Sequence, residues 1–212
     1  MFIDGYTWNT TRILAITQVA KDTVALRLEK PASYQFHAGQ YMVVRAANLV
    51  RQYSFSSAPN QPELELLVQR EPDGAMSNWF HTATVGTELE LSQAFGNFVA
   101  PQPPRPLVCI AGRVGVAPFI SMLRDGVNMR LLYAVRDPDE LCYHELLSAH
   151  HASLFISSSG QRLELSALKP YLMPDQLYYL CGSKRFVDAM MERLTHLGVP
   201  TSAIRRELFT LQ

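Results

Sequence analysis

Pro101-Gln-Pro-Pro-Arg-Pro106 and the run after it, Leu107-Val-Cys-Ile-Ala-Gly-Arg-Val-Gly-Val-Ala-Pro118, divide the chain and decide its fold class. Proline lacks a backbone donor and fixes φ, so four prolines in six residues exclude a central strand or helix interior. The stretch 102–106 therefore reads as a linker between residues 1–101 and 107–212. Beyond it, Leu107–Ala111 reads as a buried strand, Gly112-Arg-Val-Gly115 as a turn, and Ala117–Leu123 as a helix. Strand Arg130–Val135, a helical His144–His150, and strands Leu154–Ile156 and Leu177–Leu180 follow. The helix Arg185–Leu197 sets Phe186, Val187, Met190, Leu194 and Leu197 near helical spacing, and Gly198 stops it. Strands alternating with helices predict an α/β doubly wound parallel sheet.

Upstream of the prolines the pattern is β. Val24–Leu28, Tyr41–Val44, Leu64–Val68 and Leu89–Leu91 are short alternating or β-branched runs parted by Gly, Pro, Asn and Asp. They predict a small barrel or sandwich. One helical patch, Met76–His81, follows the turn signal Pro72-Asp-Gly74.

The chain has 212 residues, 48% of them hydrophobic and 18% charged, enough apolar content for a packed core and too little charge for disorder. Lys and Arg number 19 and so do Asp and Glu, which offers no global attraction to nucleic acid or an anionic membrane. No apolar run approaches the ~20 residues that span a bilayer, so no membrane insertion is expected. Met1-Phe-Ile-Asp-Gly-Tyr6 has neither the basic nor the apolar region of a signal peptide, which predicts a cytoplasmic protein. Cys109, Cys142 and Cys181 form no CxxC pair, and three thiols build neither a four-thiolate iron–sulfur cluster nor a zinc ribbon. An odd count also argues against a disulfide framework. Any redox chemistry must come from an organic cofactor, with no metal.

Two glycine turns read as anion sites, because glycine lets a backbone approach a ligand and a helix N-terminus offers free N–H groups. Gly112–Gly115 is one, although such a turn also serves as a plain strand–helix connection and lacks the six-residue dinucleotide fingerprint. Gly74-Ala-Met-Ser77 is the other, although taken alone it reads first as an ordinary helix N-cap at Ser77.

With Arg51-Gln-Tyr-Ser-Phe-Ser-Ser-Ala-Pro59 the whole chain resembles the ferredoxin–NADP reductase superfamily. His37-Ala-Gly-Gln-Tyr41, Arg51-Gln-Tyr-Ser54, Gly74-Ala-Met-Ser77, Phe95-Gly-Asn-Phe98, Ala111–Pro118, Leu180-Cys-Gly-Ser183 and Glu207-Leu-Phe209 match its motifs in order. The resemblance implies two domains: a six-stranded antiparallel flavin-binding β-barrel, then a pyridine-nucleotide α/β domain. It implies an oxidoreductase that takes hydride from NADH or NADPH into FAD and passes electrons to a separate acceptor. That acceptor would be a ferredoxin, an oxygenase component, a haem protein, or a free flavin or ferric chelate. FMN in place of FAD stays open, since the phosphate motifs do not require the adenosine half.

By the same resemblance, Arg51 would neutralise the flavin phosphates, Tyr53 would pack on the isoalloxazine, and Ser54 would face flavin N5. Gly74, Ala75, Met76 and Ser77 would give donors to the phosphates, and Gln52 and Val68 main-chain contacts to the ribityl or ring edge. Gly112 and Gly115, with Arg113 and Val114 between them, would receive the pyrophosphate. Cys181 and Gly182 would border the nicotinamide. Arg136 would meet the adenosine ribose or its 2′-phosphate, with Tyr143 loosely completing a nucleotide-reading pair. Asp137 would repel a 2′-phosphate, and the balance leans to NADH with poor discrimination. Glu207 and Phe209 would approach the flavin, leaving Ser54, Cys181 and Glu207 as the catalytic set. Three positions depart from the family pattern: Arg113 replaces a glycine, Val114 a threonine, and Ser183 a proline. They keep open a second reading, a non-catalytic flavin-binding electron-transfer subunit or sensor with an impaired nucleotide site.

Overall fold

Six strands form one antiparallel sheet: β1 (Trp8–Ala20), β2 (Thr23–Glu29), β3 (Tyr41–Ala46), β4 (Leu49–Ser54), β5 (Glu63–Gln69) and β6 (Glu88–Ser92), in the order β4-β3-β6-β1-β2-β5. The structure, a computed structural model, describes residues 5–209, with Phe209 described by its backbone alone. Alternate residues of the strands point inward. Ile13, Leu26, Leu28, Met42, Val44, Leu64, Leu66 and Leu91 meet in one core. Phe55 stacks on Phe36 at 3.9 Å between centroids beneath them. Helix α1 (Ala75–Thr82) covers one end with Met76 and Phe80.

The sheet closes through few bonds. Phe55, just past β4, bridges Leu66 of β5, and the Ser56 N–H donates to the Glu65 carbonyl at 2.8 Å. Over the rest of their length β4 pairs only with β3, and β5 only with β2. The barrel therefore keeps a seam between two strand edges.

After the proline run, which carries no regular structure, comes a parallel sheet: β7 (Leu107–Gly112), β8 (Arg130–Val135), β9 (Ser153–Ile156), β10 (Leu177–Ser183) and β11 (Ile204–Phe209), ordered β11-β10-β7-β8-β9. Alternation sorts its side chains between two helix layers. Cys109, Ala111, Tyr133, Tyr179 and Cys181 face α2 (Ala117–Arg124) and α3 (His144–Ala149). Val108, Ile110, Leu132, Tyr178 and Leu180 face α5 (Lys184–His196), which presents Val187, Met190 and Leu194. The short α4 (Leu165–Leu168) adds Leu168 to that second layer. The barrel and doubly wound sheet expected from the resemblance are both present.

Three strands have no counterpart among the runs named from sequence. β1 mixes Asn, Thr and Gln with apolar residues and shifts register twice against β2, which blurs its alternation. β4 is half exposed along most of its length. β11 is an edge strand rich in charge, Ile-Arg-Arg-Glu-Leu-Phe.

The two units share a core and a polar clamp. Phe98 packs on Phe119 of α2 and Tyr179 of β10. Glu65 Oε1 on β5 accepts from Arg124 Nη1 at 2.5 Å, Tyr143 Oη at 2.7 Å and Ser56 Oγ at 2.9 Å. Arg124 also lies over the Tyr143 ring and donates to the Ser56 carbonyl, while Ser121 Oγ donates to the Ser57 carbonyl. Removing one member of such a sheltered set strands the others. Glu65→Ala is expected to cost about 3 kcal/mol. Trp8 and Trp79, the chain's only tryptophans, both lie in the barrel. In urea, their fluorescence should then unfold out of step with far-ultraviolet circular dichroism; coincident, unshifted curves would refute the clamp.

Candidate functional site

β4 carries Arg51, Gln52, Tyr53 and Ser54 along the seam, so their main-chain groups form an edge that no neighbouring strand occupies on that side. Val68, facing them from β5, has its side chain in the barrel core and only its backbone to offer. An open pair of strand edges supplies the donors and acceptors that a planar heterocycle needs at its rim. Tyr53 packs edge-on to Phe80 of α1, and burial pushes its phenol up. Arg51 is exposed, and among the described residues it bonds only the carbonyl of Val50, at 2.7 Å. Its remaining guanidinium donors are available to an anion.

Gly74 precedes the helical Ala75, Met76 and Ser77 as the N-cap of α1. Ser77 spends its hydroxyl inside the turn, donating to the Gly74 carbonyl at 2.9 Å and accepting from the Glu71 N–H at 3.1 Å. The turn is thus preformed by Ser77.

Ser54, Cys181 and Glu207 converge from both units. Ser54 is buried at the end of β4, and its Oγ donates to Glu207 Oε1 at 2.8 Å. Glu207 of β11 lies in register with Cys181 of β10. Burial pushes the Glu207 carboxyl up to about 7, while the Ser54 hydrogen bond pulls the other way. Burial raises the Cys181 thiol well above its ordinary value and the nearby Glu207 charge adds to this, so the thiol stays protonated. Cys181 is small and uncharged here, not a nucleophile. Phe209 closes the same strand, its side chain outside the described residues.

The loop after β7 is held by backbone packing. A Cβ on Gly115 would lie 2.5 Å from the Cys181 carbonyl oxygen, and one on Gly112 would lie 2.8 Å from the Phe186 ring. Both glycines are thus required by contact with the chain itself, beyond any ligand. Gly182, with φ +153°, completes that contact. Arg113 takes φ +52°, the left-handed region that a side chain resists. Its Nη2 lies 3.2 Å from Glu140 Oε1, and with the Gln69 amide turned to satisfy both groups the guanidinium also donates to Gln69 Oε1. Val114 follows within the turn and packs against the α2-side core.

Beside this loop lies a cavity of about 600 Å³, reaching from Gln69 and Glu71 on the barrel to the C-terminal ends of β8 and β9 and the start of α5. Arg136 stands at its edge, 3.7 Å from Asp137. Tyr143, expected in a nucleotide-reading pair, donates its hydroxyl to Glu65 instead. Sequence reasoning missed Glu140, which folds back so that Oε2 accepts the Arg136 N–H at 2.9 Å. It also missed Glu65, Arg124, Arg162 and Arg185. Only Arg185, in the first turn of a helix after a glycine-bearing strand end, carried a local signal.

Residues 10–99 match the oxidoreductase FAD-binding domain family. Over 240 residues the chain is 30% identical to a flavohemoprotein of Burkholderia sp. (strain TH2), the match covering 95% of this chain and 60% of that protein. It is 27% identical over 219 residues to the toluate 1,2-dioxygenase electron transfer component of Pseudomonas putida, covering 92% of this chain and 65% of that one. The chain thus spans about three fifths of the length of the curated relatives it matches. Among solved structures, a ferredoxin NADP+ reductase from Neisseria gonorrhoeae with bound FAD and NADP superposes with a TM-score of 0.82 at 23% identity, over 96% of this chain and 99% of that one.

Arg113 separates strain from side-chain contact. Arg113→Ala loses the Glu140 and Gln69 contacts and keeps the left-handed backbone, whereas Arg113→Gly loses the same contacts and relieves it. The glycine variant is expected to be about 1 kcal/mol more stable than the alanine variant. Equal denaturation midpoints would show that the loop relaxes out of this conformation.

Proposed function

Because the chain belongs to the ferredoxin–NADP reductase superfamily, we propose that it is an NAD(P)H-dependent flavin reductase module passing electrons to a separate acceptor. The observation that carries this reading is the meeting of Ser54 from the barrel with Glu207 and Cys181 from the parallel sheet. An enzyme moving hydride between two bound cofactors needs such a point between two sites. The seam residues Arg51, Gln52, Tyr53 and Val68 and the turn Gly74–Ser77 suit a flavin with its phosphates. FAD supplies an acceptor for two electrons that can release them singly. The loop Gly112–Gly115, Arg136 and Gly182 suit the nicotinamide dinucleotide, and a cavity of about 600 Å³ beside them is of small-molecule size. That open space weighs against the alternative, a flavin-binding subunit whose nucleotide site is blocked by Arg113.

Ser54 and Cys181 orient and exclude water around the reacting atoms, and Glu207, its carboxyl pushed up to about 7 by burial, shares its time between acid and carboxylate there near neutral pH. A neutral Glu207 favours arrival of the negative charge that hydride brings, and a carboxylate opposes it. The acceptor is a separate redox partner, by analogy with relatives that are electron transfer components of dioxygenases. Among the described residues no helix is long and apolar enough to cross a membrane. Three free, buried cysteines suit a reducing cytoplasm.

Anaerobic titration of the purified, FAD-loaded protein with NADH and NADPH should bleach the flavin. Since Glu207 titrates at about 7, the reduction rate should fall as pH rises from 6 to 8. Glu207→Gln should flatten that profile. Absence of bleaching by either nucleotide would leave the non-catalytic subunit.

A further inference from the structure

Strand β5 faces three ways. Leu64, Leu66 and Val68 point into the barrel core, and its free backbone edge forms one side of the seam. Glu65, Leu67 and Gln69 alternate with them on the outer face, and each meets the parallel-sheet unit. Glu65 takes Arg124 and Tyr143, Leu67 joins the core built by β7 and α2, and Gln69, its amide turned as above, bonds Arg113. The two ion pairs along this face differ in shelter. Only 14% of the Glu65 side chain and 20% of the Arg124 side chain are exposed, against 48% of Arg113.

Glu65 also holds the strand end that carries Ser54. Ser56, two residues on, donates its N–H to the Glu65 carbonyl and its hydroxyl to Glu65 Oε1, and its own carbonyl accepts from Arg124. From Arg124 the helix α2 runs back to the β7 loop as a fixed rod. Every residue from Ala117 to Leu123 is buried, and Ser121 Oγ donates to the Ser57 carbonyl at 2.6 Å. Eight helical residues span about 12 Å, so a tilt of about 5° at Arg124 moves the loop by about 1 Å.

That lever has a chemical meaning if the flavin lies in the seam and the nucleotide at Gly112–Gly115 as proposed above, on which this inference rests. We propose that Glu65 is a positioning residue for hydride transfer. Through Arg124 it sets the height of the β7 loop, and through Ser56 the place of Ser54, so one carboxylate fixes the spacing of the two reacting rings. A misplacement of about 1 Å costs about a hundredfold in such a reaction. Glu65, Arg124 and Tyr143 line no part of the cavity beside the loop. A change in them therefore reaches the rate without touching the nucleotide's own contacts.

Stopped-flow reduction of the FAD-loaded protein over a range of NADH and NADPH concentrations gives the limiting rate and the nucleotide Kd separately. Glu65→Gln keeps the shape and withdraws the charge that holds Arg124. Its limiting rate should fall about tenfold or more while Kd stays within about threefold. Arg124→Gln should fall as far, the double variant no further than either single one, and Arg124→Lys should recover part of the loss. Tyr143→Phe removes one donor and keeps the ion pair, so it should fall less, and it provides the measurement if the charge variants do not fold. Binding of non-reacting tetrahydronicotinamide analogues needs no turnover. The long-wavelength absorbance of the stacked donor and flavin should weaken in the variants at unchanged Kd. Limiting rates within about twofold of wild type, a loss confined to Kd, or additive losses in the double variant overturn the positioning role. Where wild type is bleached, those outcomes leave the reductase reading intact. Wild-type protein bleached by neither nucleotide overturns both.

Discussion

The Glu65 carboxylate fixes how the two halves of this molecule meet. Taking a carboxylate out of water costs several kcal/mol unless its lone pairs are filled by well-placed donors. Here one oxygen receives a guanidinium, a phenol and a hydroxyl, from α2, the start of α3 and the segment after β4. Arg124, the guanidinium donor, is the last residue of α2, and only Val116 separates the start of that helix from the Gly112–Gly115 loop. The same short helix thus carries the loop at one end and the clamp at the other. Anchoring Arg124 to the barrel sets where Gly112–Gly115 sits relative to the seam.

The chain segment Ser54–Ser57 shows how tightly this coupling is written. Ser54 meets Glu207 across the interface, and Phe55 closes the barrel against Leu66. Ser56 donates to Glu65, and the Ser57 carbonyl accepts from Ser121. Successive residues of one strand end therefore serve the Ser54–Glu207 contact, the barrel core and the domain interface. Alternation makes this possible, because neighbouring side chains leave an extended chain on opposite sides. A shift of register here would disturb all three at once.

Much of the parallel sheet was legible in the sequence because its strands are covered on both faces. Leu107–Ala111 and Leu177–Cys181 are continuous apolar runs, as expected of strands buried on both faces. The barrel was less legible. In β1 only Ile13 and Thr11 are buried, and a strand exposed along one side with polar residues scattered on both carries little period-2 signal. The meeting of Ser54, Cys181 and Glu207 could be anticipated only through the family resemblance, since Ser54 and Glu207 stand 153 positions apart. The clamp had no signal at all. Glu65 and Arg124 are ordinary surface residue types 59 positions apart, and only packing of the two domains shelters them.

Arg113 shows how a departure from a family pattern can be carried without loss of fold. Gly115 approaches the Cys181 carbonyl closely and Gly112 approaches Phe186, and in the loop so held Arg113 sits at φ +52°. A non-glycine residue there costs about 1–2 kcal/mol. The Glu140 ion pair, with the Arg113 side chain half exposed, and the Gln69 hydrogen bonds together contribute about the same amount. The two effects nearly cancel, so folding is close to indifferent to arginine or glycine at this position. The side chain is nevertheless held in one place, bridging β5 of the barrel to the segment after β8 at the mouth of the cavity beside the β7 loop. Its charge is already neutralised there by Glu140.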